Sequence, residues 1–186
     1  MRALPNFTIF VPADAVETDA AIRAAAEIEG PVYIRLGRSG VPVIHDENFK
    51  FTPGEAVQLR EGSDITIIAT GIMVAAALEA AEKLAAEGIN ARVLDMHTIK
   101  PLDITAVVDA ARTTGAIVTA EEHNIIGGLG SAVAEVLAEH SPVPMKRVGV
   151  RDVFGESGKP AELLQHFGLT TDGIIEAVHQ VIKRKK

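Results

Sequence analysis

Apolar runs of one strand's length recur along this chain, and helical patterns fill the gaps between them. The runs cover Phe7–Val11, Val32–Leu36, Asp64–Thr70, Ala91–Met96, Ala116–Ala120 and Met145–Val150. They are rich in Val and Ile and nearly continuous, the pattern of strands buried on both faces. Helical periodicity spans Ala15–Ile28, Met73–Glu87, Ile104–Thr113, Ser131–Glu139, Ala161–His166 and Asp172–Lys183. This alternation restricts the chain to helices packed on a parallel sheet. The breakers agree. Gly88 is placed to end the second helix, and Pro101 and Asp103 to start the third. Thr171-Asp172 suits the start of the last.

One stretch interrupts the rhythm. Gly37–Phe51 is polar, carries Gly and Pro, and has no period, so it reads as a linker. Ahead of it lies a single strand–helix–strand unit, which cannot bury both faces of a sheet by itself. Residues 1–45 therefore read as the end of a larger domain, and residues 46–186 as a second domain. After the linker, Phe51–Arg60 reads as an edge strand carrying Pro53-Gly54.

A chain of 186 residues, 47% of them hydrophobic, can bury roughly 70% of its unfolded surface and needs no disulfide or metal to hold a core. There are no cysteines, which excludes a disulfide framework, a thiol nucleophile and a thiolate zinc site. The net charge of −7 argues against nucleic acid as a partner. The one basic run, Lys183–Lys186, ends a predicted helix, where cations suit the dipole. No signal peptide opens the chain and no segment reaches the length of a membrane span. The expectation is a cytoplasmic protein with no membrane contact.

In open α/β sheets ligands bind beyond the carboxyl ends of the strands. Three ends carry informative residues: Thr70-Gly71, Asp95-Met96-His97-Thr98 and Glu121-Glu122-His123. Carboxylates beside histidines can transfer protons; the same groups can also cap helices or pair across a subunit contact. Gly127-Gly128-Leu129-Gly130 follows the last of these ends, with Ser131 opening a helical pattern. The loop lacks the third glycine of a dinucleotide fingerprint and the lysine of a P-loop. It leaves two readings, an anion held at a helix N-terminus or glycines that permit close backbone packing. Arg38, just past a strand end and between Gly37 and Gly40, suits a two-pronged contact to phosphate, the alternative being a solvated surface arginine. The other histidines, His45, His140, His166 and His179, lack metal-ligand spacing.

Several separated motifs, in order, resemble the transketolase family. They are Leu4–Asp14 (LPNFTIFVPAD), Pro31–Arg38 (PVYIRLGR), Thr98–Asp103 (TIKPLD), Glu121–Ser131 and Phe154–Gly158 (FGESG). They match the family's C-terminal third, as in its short, split bacterial and archaeal members. Pro160–Gly173 favours this over deoxyxylulose-phosphate synthase and the β-subunits of 2-oxoacid dehydrogenases.

The resemblance implies a three-layer α/β/α domain on a mainly parallel five-stranded sheet, preceded by a βαβ remnant of the pyrimidine-binding domain. It implies transfer of a two-carbon ketol unit between sugar phosphates with thiamine diphosphate and Mg²⁺ in the complete enzyme. The metal-binding G-D-G…N motif and the glutamate that activates the aminopyrimidine have no match here. The chain is therefore expected to bind no cofactor alone, to be inactive alone, and to need a transketolase N-terminal section or the missing upstream domains as partner. A homodimer through the C-terminal domain is also implied. Arg38 aligns with the arginine that grips the substrate phosphate. Asp95, His97, Glu121 and His123 receive no catalytic role. Glu121, His123, Gly127, Gly128, Gly130 and Ser131 stand as an anion or dimer-contact loop. The C-terminal part of a 2-oxoacid dehydrogenase β-subunit or of deoxyxylulose-phosphate synthase, and a non-enzymatic interaction module, are the competing expectations.

Overall fold

A computed structural model of the chain describes residues 1–185. Among them, eight strands and six helices follow in the order β1 (Thr8–Phe10), α1 (Ala15–Ala26), β2 (Val32–Ile34), β3 (Val57–Arg60), β4 (Ile65–Ala69), α2 (Met73–Ala86), β5 (Ala91–Asp95), β6 (Thr98–Lys100), α3 (Ile104–Thr114), β7 (Ile117–Asn124), α4 (Leu129–His140), β8 (Met145–Val150), α5 (Pro160–His166) and α6 (Thr171–Ile182). The main sheet has the order β3-β5-β4-β7-β8. Its β4–β5, β4–β7 and β7–β8 pairs are parallel, and β3 is added antiparallel to β5.

The pleat explains the layers. Ile65, Ile67 and Ala69 of β4 point to one face, where Met73, Ala77, Ala81 and Leu84 of α2 meet Ile174, Val178 and Val181 of α6. Ile68 points to the other, against Val107 and Ala111 of α3 and Leu129, Val133 and Leu137 of α4. Every residue of β4 and β5 is buried, as near-continuous apolar runs require. Asp103 caps α3 by accepting from Ala106 N at 2.8 Å.

Several expectations shift. The antiparallel strand β6 pairs with β1, so the N-terminal βαβ unit joins a three-stranded sheet, β2-β1-β6. Ile9 and Val11 of that unit enter the second core layer, which closes the unit onto the larger domain. Of the predicted edge strand Phe51–Arg60 only Val57–Arg60 is extended, because Pro53-Gly54 forms a turn. Helix α4 starts at Leu129 rather than Ser131, and α6 is capped by Thr170 rather than Thr171-Asp172. Strand β7 runs on to Asn124, so Glu121–His123 lie on a strand rather than beyond it. The linker has no regular structure, yet it buries His45. Of the basic run, Lys186 lies outside the described residues.

Candidate functional site

Strand β4 lies at the point where the sheet's order reverses, with β5 to one side and β7 to the other. That crevice is the usual ligand position in such sheets. Here the N-terminal unit enters it. Gly71 N donates to Val11 O at 3.1 Å, and Val11 N donates to His97 O at 2.8 Å. Thr70 Oγ1 bridges Val11 O and Met96 O, at 3.2 and 2.9 Å. The floor of the crevice is thus closed by backbone, and space remains on either side of it.

On the β7 side, the glycine loop is shaped around Glu121. The carboxylate is buried and accepts from Leu129 N at 2.7 Å through Oε2 and from Gly130 N at 2.8 Å through Oε1. Burial raises its pKa above the usual carboxylate range, against the pull of these two N–H groups. The helix N-terminus, for which the sequence leaves open a bound anion or close backbone packing, therefore holds the chain's own carboxylate. The glycines follow from this. A Cβ on Gly128 would overlap the Glu121 carboxylate, and one on Gly130 would lie 2.7 Å from Arg147 Cγ and Cδ. Ser131 Oγ accepts from Gly127 N at 2.9 Å and donates to Ile125 O at 3.1 Å, which fixes the loop's entry. His123 is half-exposed, with Nδ1 2.7 Å from Asn124 O and 3.9 Å from Glu121 Oε2.

Two cavities flank this wall. The smaller, about 400 Å³, lies among Ile9, Tyr33, Arg35, Thr70, Glu121 and Gly128. The larger, about 1130 Å³, runs between the Gly37–Ile44 segment, α2 and the Val150–Phe167 region. Arg35, Glu122 and His123 border both, and an Arg35–Glu122 ion pair of 3.2 Å ties the N-terminal unit to β7. Arg38 is exposed on the wall of the larger cavity. It shares no cavity with Glu121 or the glycine loop, which line the smaller one.

The most unusual chemistry lies elsewhere. Asp14 caps α1 by accepting from Glu17 N at 2.8 Å. Its second oxygen accepts from Ile44 N at 2.6 Å and His45 N at 2.8 Å, which pins the linker. Burial opposes the Asp14 charge, but these donors hold its pKa below the usual range. The pinned His45 turns its Nε2 toward two acids, 3.1 Å from Asp95 Oδ2 and 3.6 Å from Glu17 Oε1. Both acids are 0% exposed. Burial pushes the Glu17 and Asp95 carboxyls well above the carboxylate range, and for Glu17 the Asp95 charge adds to it. His97 stacks on Phe51 with ring centres 4.0 Å apart, and burial, with His45 nearby, lowers its pKa to about 4.

In sequence His45 lacks metal-ligand spacing, and neither Glu17 nor Asp14 stands out as a site residue. The signal was present as Asp14-x-x-Glu17, the spacing of an acidic N-cap followed by a third-position glutamate. What spacing could not show is that three distant segments converge. Among the described residues, no helix is long and apolar enough to cross a membrane.

Comparison with known proteins gives a consistent picture. Residues 54–174 match the model of the transketolase C-terminal domain, and residues 1–43 match that of the transketolase pyrimidine binding domain. A 6-deoxy-6-sulfo-D-fructose transketolase subunit from a Clostridium species is 54% identical over 185 residues, covering 100% of this chain and 58% of that protein. An apulose-4-phosphate transketolase subunit from Phocaeicola vulgatus is 40% identical, covering 99% of this chain and 59% of that protein. The chain thus spans less than two thirds of the length of these relatives. A solved structure described as a split gene transketolase, inactive beta4 tetramer, superposes with a TM-score of 0.98 at 58% identity. The match covers 100% of this chain and 61% of that one.

Proposed function

The chain belongs to the transketolase family, and on that premise we propose that it forms the C-terminal portion of a transketolase, divided near residue 45 into the end of the pyrimidine-binding domain and the C-terminal domain. Assembled with the section that binds thiamine diphosphate and Mg²⁺, it serves the transfer of a two-carbon ketol unit between sugars that end in a tetrahedral oxyanion. Without that section it turns nothing over. Its partners are the chain supplying that section and a second copy of itself, in the cytoplasm.

The observation that carries this reading is Arg38, exposed on a cavity of about 1130 Å³ where the N-terminal unit and the larger domain meet. A planar guanidinium can grip two oxygens of such an anion at once. Arg35, earlier in the same segment, is already paired with Glu122. Both relatives named above act on sugars whose names carry such a group, a sulfonate in one and a phosphate in the other. That supports an oxyanion as the feature recognised and leaves its identity to experiment.

The residues present do not fit the cofactor. Among the described residues, one trio of acids and histidine lies close enough for a metal, Glu17, His45 and Asp95. It is enclosed, and none of the three borders either cavity, so no diphosphate can reach it. When bound in the assembled enzyme, thiamine diphosphate supplies the carbanion chemistry; the part of this chain is to hold the anionic end of the substrate.

The test reconstitutes the chain with its transketolase N-terminal section, thiamine diphosphate and Mg²⁺, and follows ketol transfer from phosphate- and sulfonate-terminated ketoses. Activity requires both chains. Arg38→Ala raises KM about tenfold or more with kcat nearly unchanged, as loss of uniform binding does. Turnover by this chain alone, or an unchanged KM, sinks the reading.

A further inference from the structure

We propose that Glu17, His45 and Asp95 form a divalent transition-metal site, zinc by its donors, that clamps the linker between the N-terminal unit and the main sheet. The argument is geometric. The ligand atoms of the three residues all lie within 4.8 Å of one another. His45 Nε2 stands 3.6 Å from Glu17 Oε1 and 3.1 Å from Asp95 Oδ2. Tetrahedral zinc with bonds of about 2.0–2.1 Å has its ligands about 3.3 Å apart, so these edges fit with small adjustments.

Unpartnered atoms point to a ligand at this place. Glu17 Oε1 and Asp95 Oδ1 are buried with no hydrogen-bond partner, on side chains that are 0% exposed. Among the described residues neither acid pairs with a lysine or arginine; the only cation-capable partner is His45. Two carboxylates and a neutral imidazole balance one divalent cation, and oxygen with imidazole nitrogen is a donor set that zinc accepts.

Each donor is also held from behind, as metal ligands are. Glu17 Oε2 accepts from Ala13 N at 2.5 Å. His45 has its backbone N–H on Asp14, and its ring lies 4.1 Å from that of Phe49. Asp95 ends β5 and is paired on both sides, to Val57 and to Ala69. The three ligands come from α1, the linker and β5, so one ion joins the N-terminal unit, the wall that carries Arg38 and the main sheet.

The experiment uses the full chain, purified with chelator, exposed to ZnCl₂ alone and freed of excess by gel filtration. One zinc per chain is expected by metal analysis, with Tm raised by about 5–10 °C at saturating zinc. MgCl₂ at the same concentration leaves Tm unchanged. Cobalt in place of zinc gives the visible absorption of a tetrahedral site. His45→Gln and, separately, Asp95→Asn lower the retained zinc at least tenfold and abolish the Tm rise. If one variant does not fold, the other and the wild-type titration still decide. Wild-type chain that retains no zinc and shows no Tm change overturns the proposal: the two acids then share a proton instead. Equal zinc in wild type and His45→Gln also overturns it, because the ion then sits on surface histidines such as His123 or His179.

Discussion

Glu17, in the first turn of α1, and Glu121, on β7, are both buried glutamates whose carboxylates meet backbone N–H groups at a helix N-terminus. They differ in one atom. Both oxygens of Glu121 accept an amide, from Leu129 and Gly130. Glu17 has one oxygen on Ala13 N and the other unpartnered. A buried carboxylate with every acceptor satisfied is explained by the fold it stabilises. One with an empty acceptor needs something further, a proton or a cation. The conspicuous glycine loop surrounds the satisfied acid, and the plain-looking linker surrounds the open one.

The largest effect is expected where the open cluster is anchored. Asp14→Ala removes the acceptor of three backbone N–H groups, those of Glu17, Ile44 and His45. Loss of a helix cap together with two buried donors should cost about 3–5 kcal/mol. Denaturant unfolding measures it. A loss below about 1 kcal/mol would mean that the linker is not pinned by Asp14.

The closed site is tested next. Glu121→Ala strands two buried amides and should cost about 2–4 kcal/mol. Gly128→Ala places a methyl group where the Glu121 carboxylate and His123 Nδ1 now lie, and should cost about 2 kcal/mol. If the glycine exists to admit the carboxylate, the two changes are not additive. Gly128→Ala should then be nearly silent once Glu121 is alanine, a coupling that a double-mutant cycle reads directly. Additive losses would separate the glycine from the glutamate.

These two sites also show what the sequence could carry. Periodicity marks β4, β5, β7 and β8 as strands of a parallel sheet, most plainly β4, β5 and the first half of β7, which are buried on both faces, while β8 is a largely half-buried edge strand. It missed β6, three residues long and too short for a period, and so missed the partner that β1 finds across the molecule. The fate of Glu121 was half legible. A glycine loop before a helix announces an available N-terminus, but only tertiary structure shows that an acid eight residues earlier fills it. The Glu17–His45–Asp95 cluster was illegible for the same reason, taken further. Its members are separated by 28 and 50 positions, and no local pattern links a capping glutamate, a linker histidine and a strand-end aspartate. Arg38 stood out through its glycine-bordered setting and family motif, while the Arg35–Glu122 pair that joins the two units passed unnoticed.

The smallest effect separates surface charge from buried charge in the same neighbourhood. Arg2 bridges the glycine loop and α4, donating to Gly127 O at 3.2 Å and gripping the Glu135 carboxylate through both prongs of its guanidinium. The hydrogen bond from Arg2 lowers the pKa of Glu135 from its ordinary 4.5, with burial opposing. A depressed carboxyl pKa contributes stability that is present in full above pH 4.5 and is lost as pH falls through the lower folded value. Glu135 is 60% exposed, so solvent screening keeps that contribution below about 1 kcal/mol. Glu135→Gln should therefore lower stability slightly at neutral pH, have little effect once the wild-type acid is protonated, and lose its effect in high salt. Unfolding free energies of wild type and variant across that acid range should converge toward low pH. If they stay apart, Glu135 acts through packing on α4, and the loop's outer anchor is then no electrostatic counterpart of the carboxylate within it.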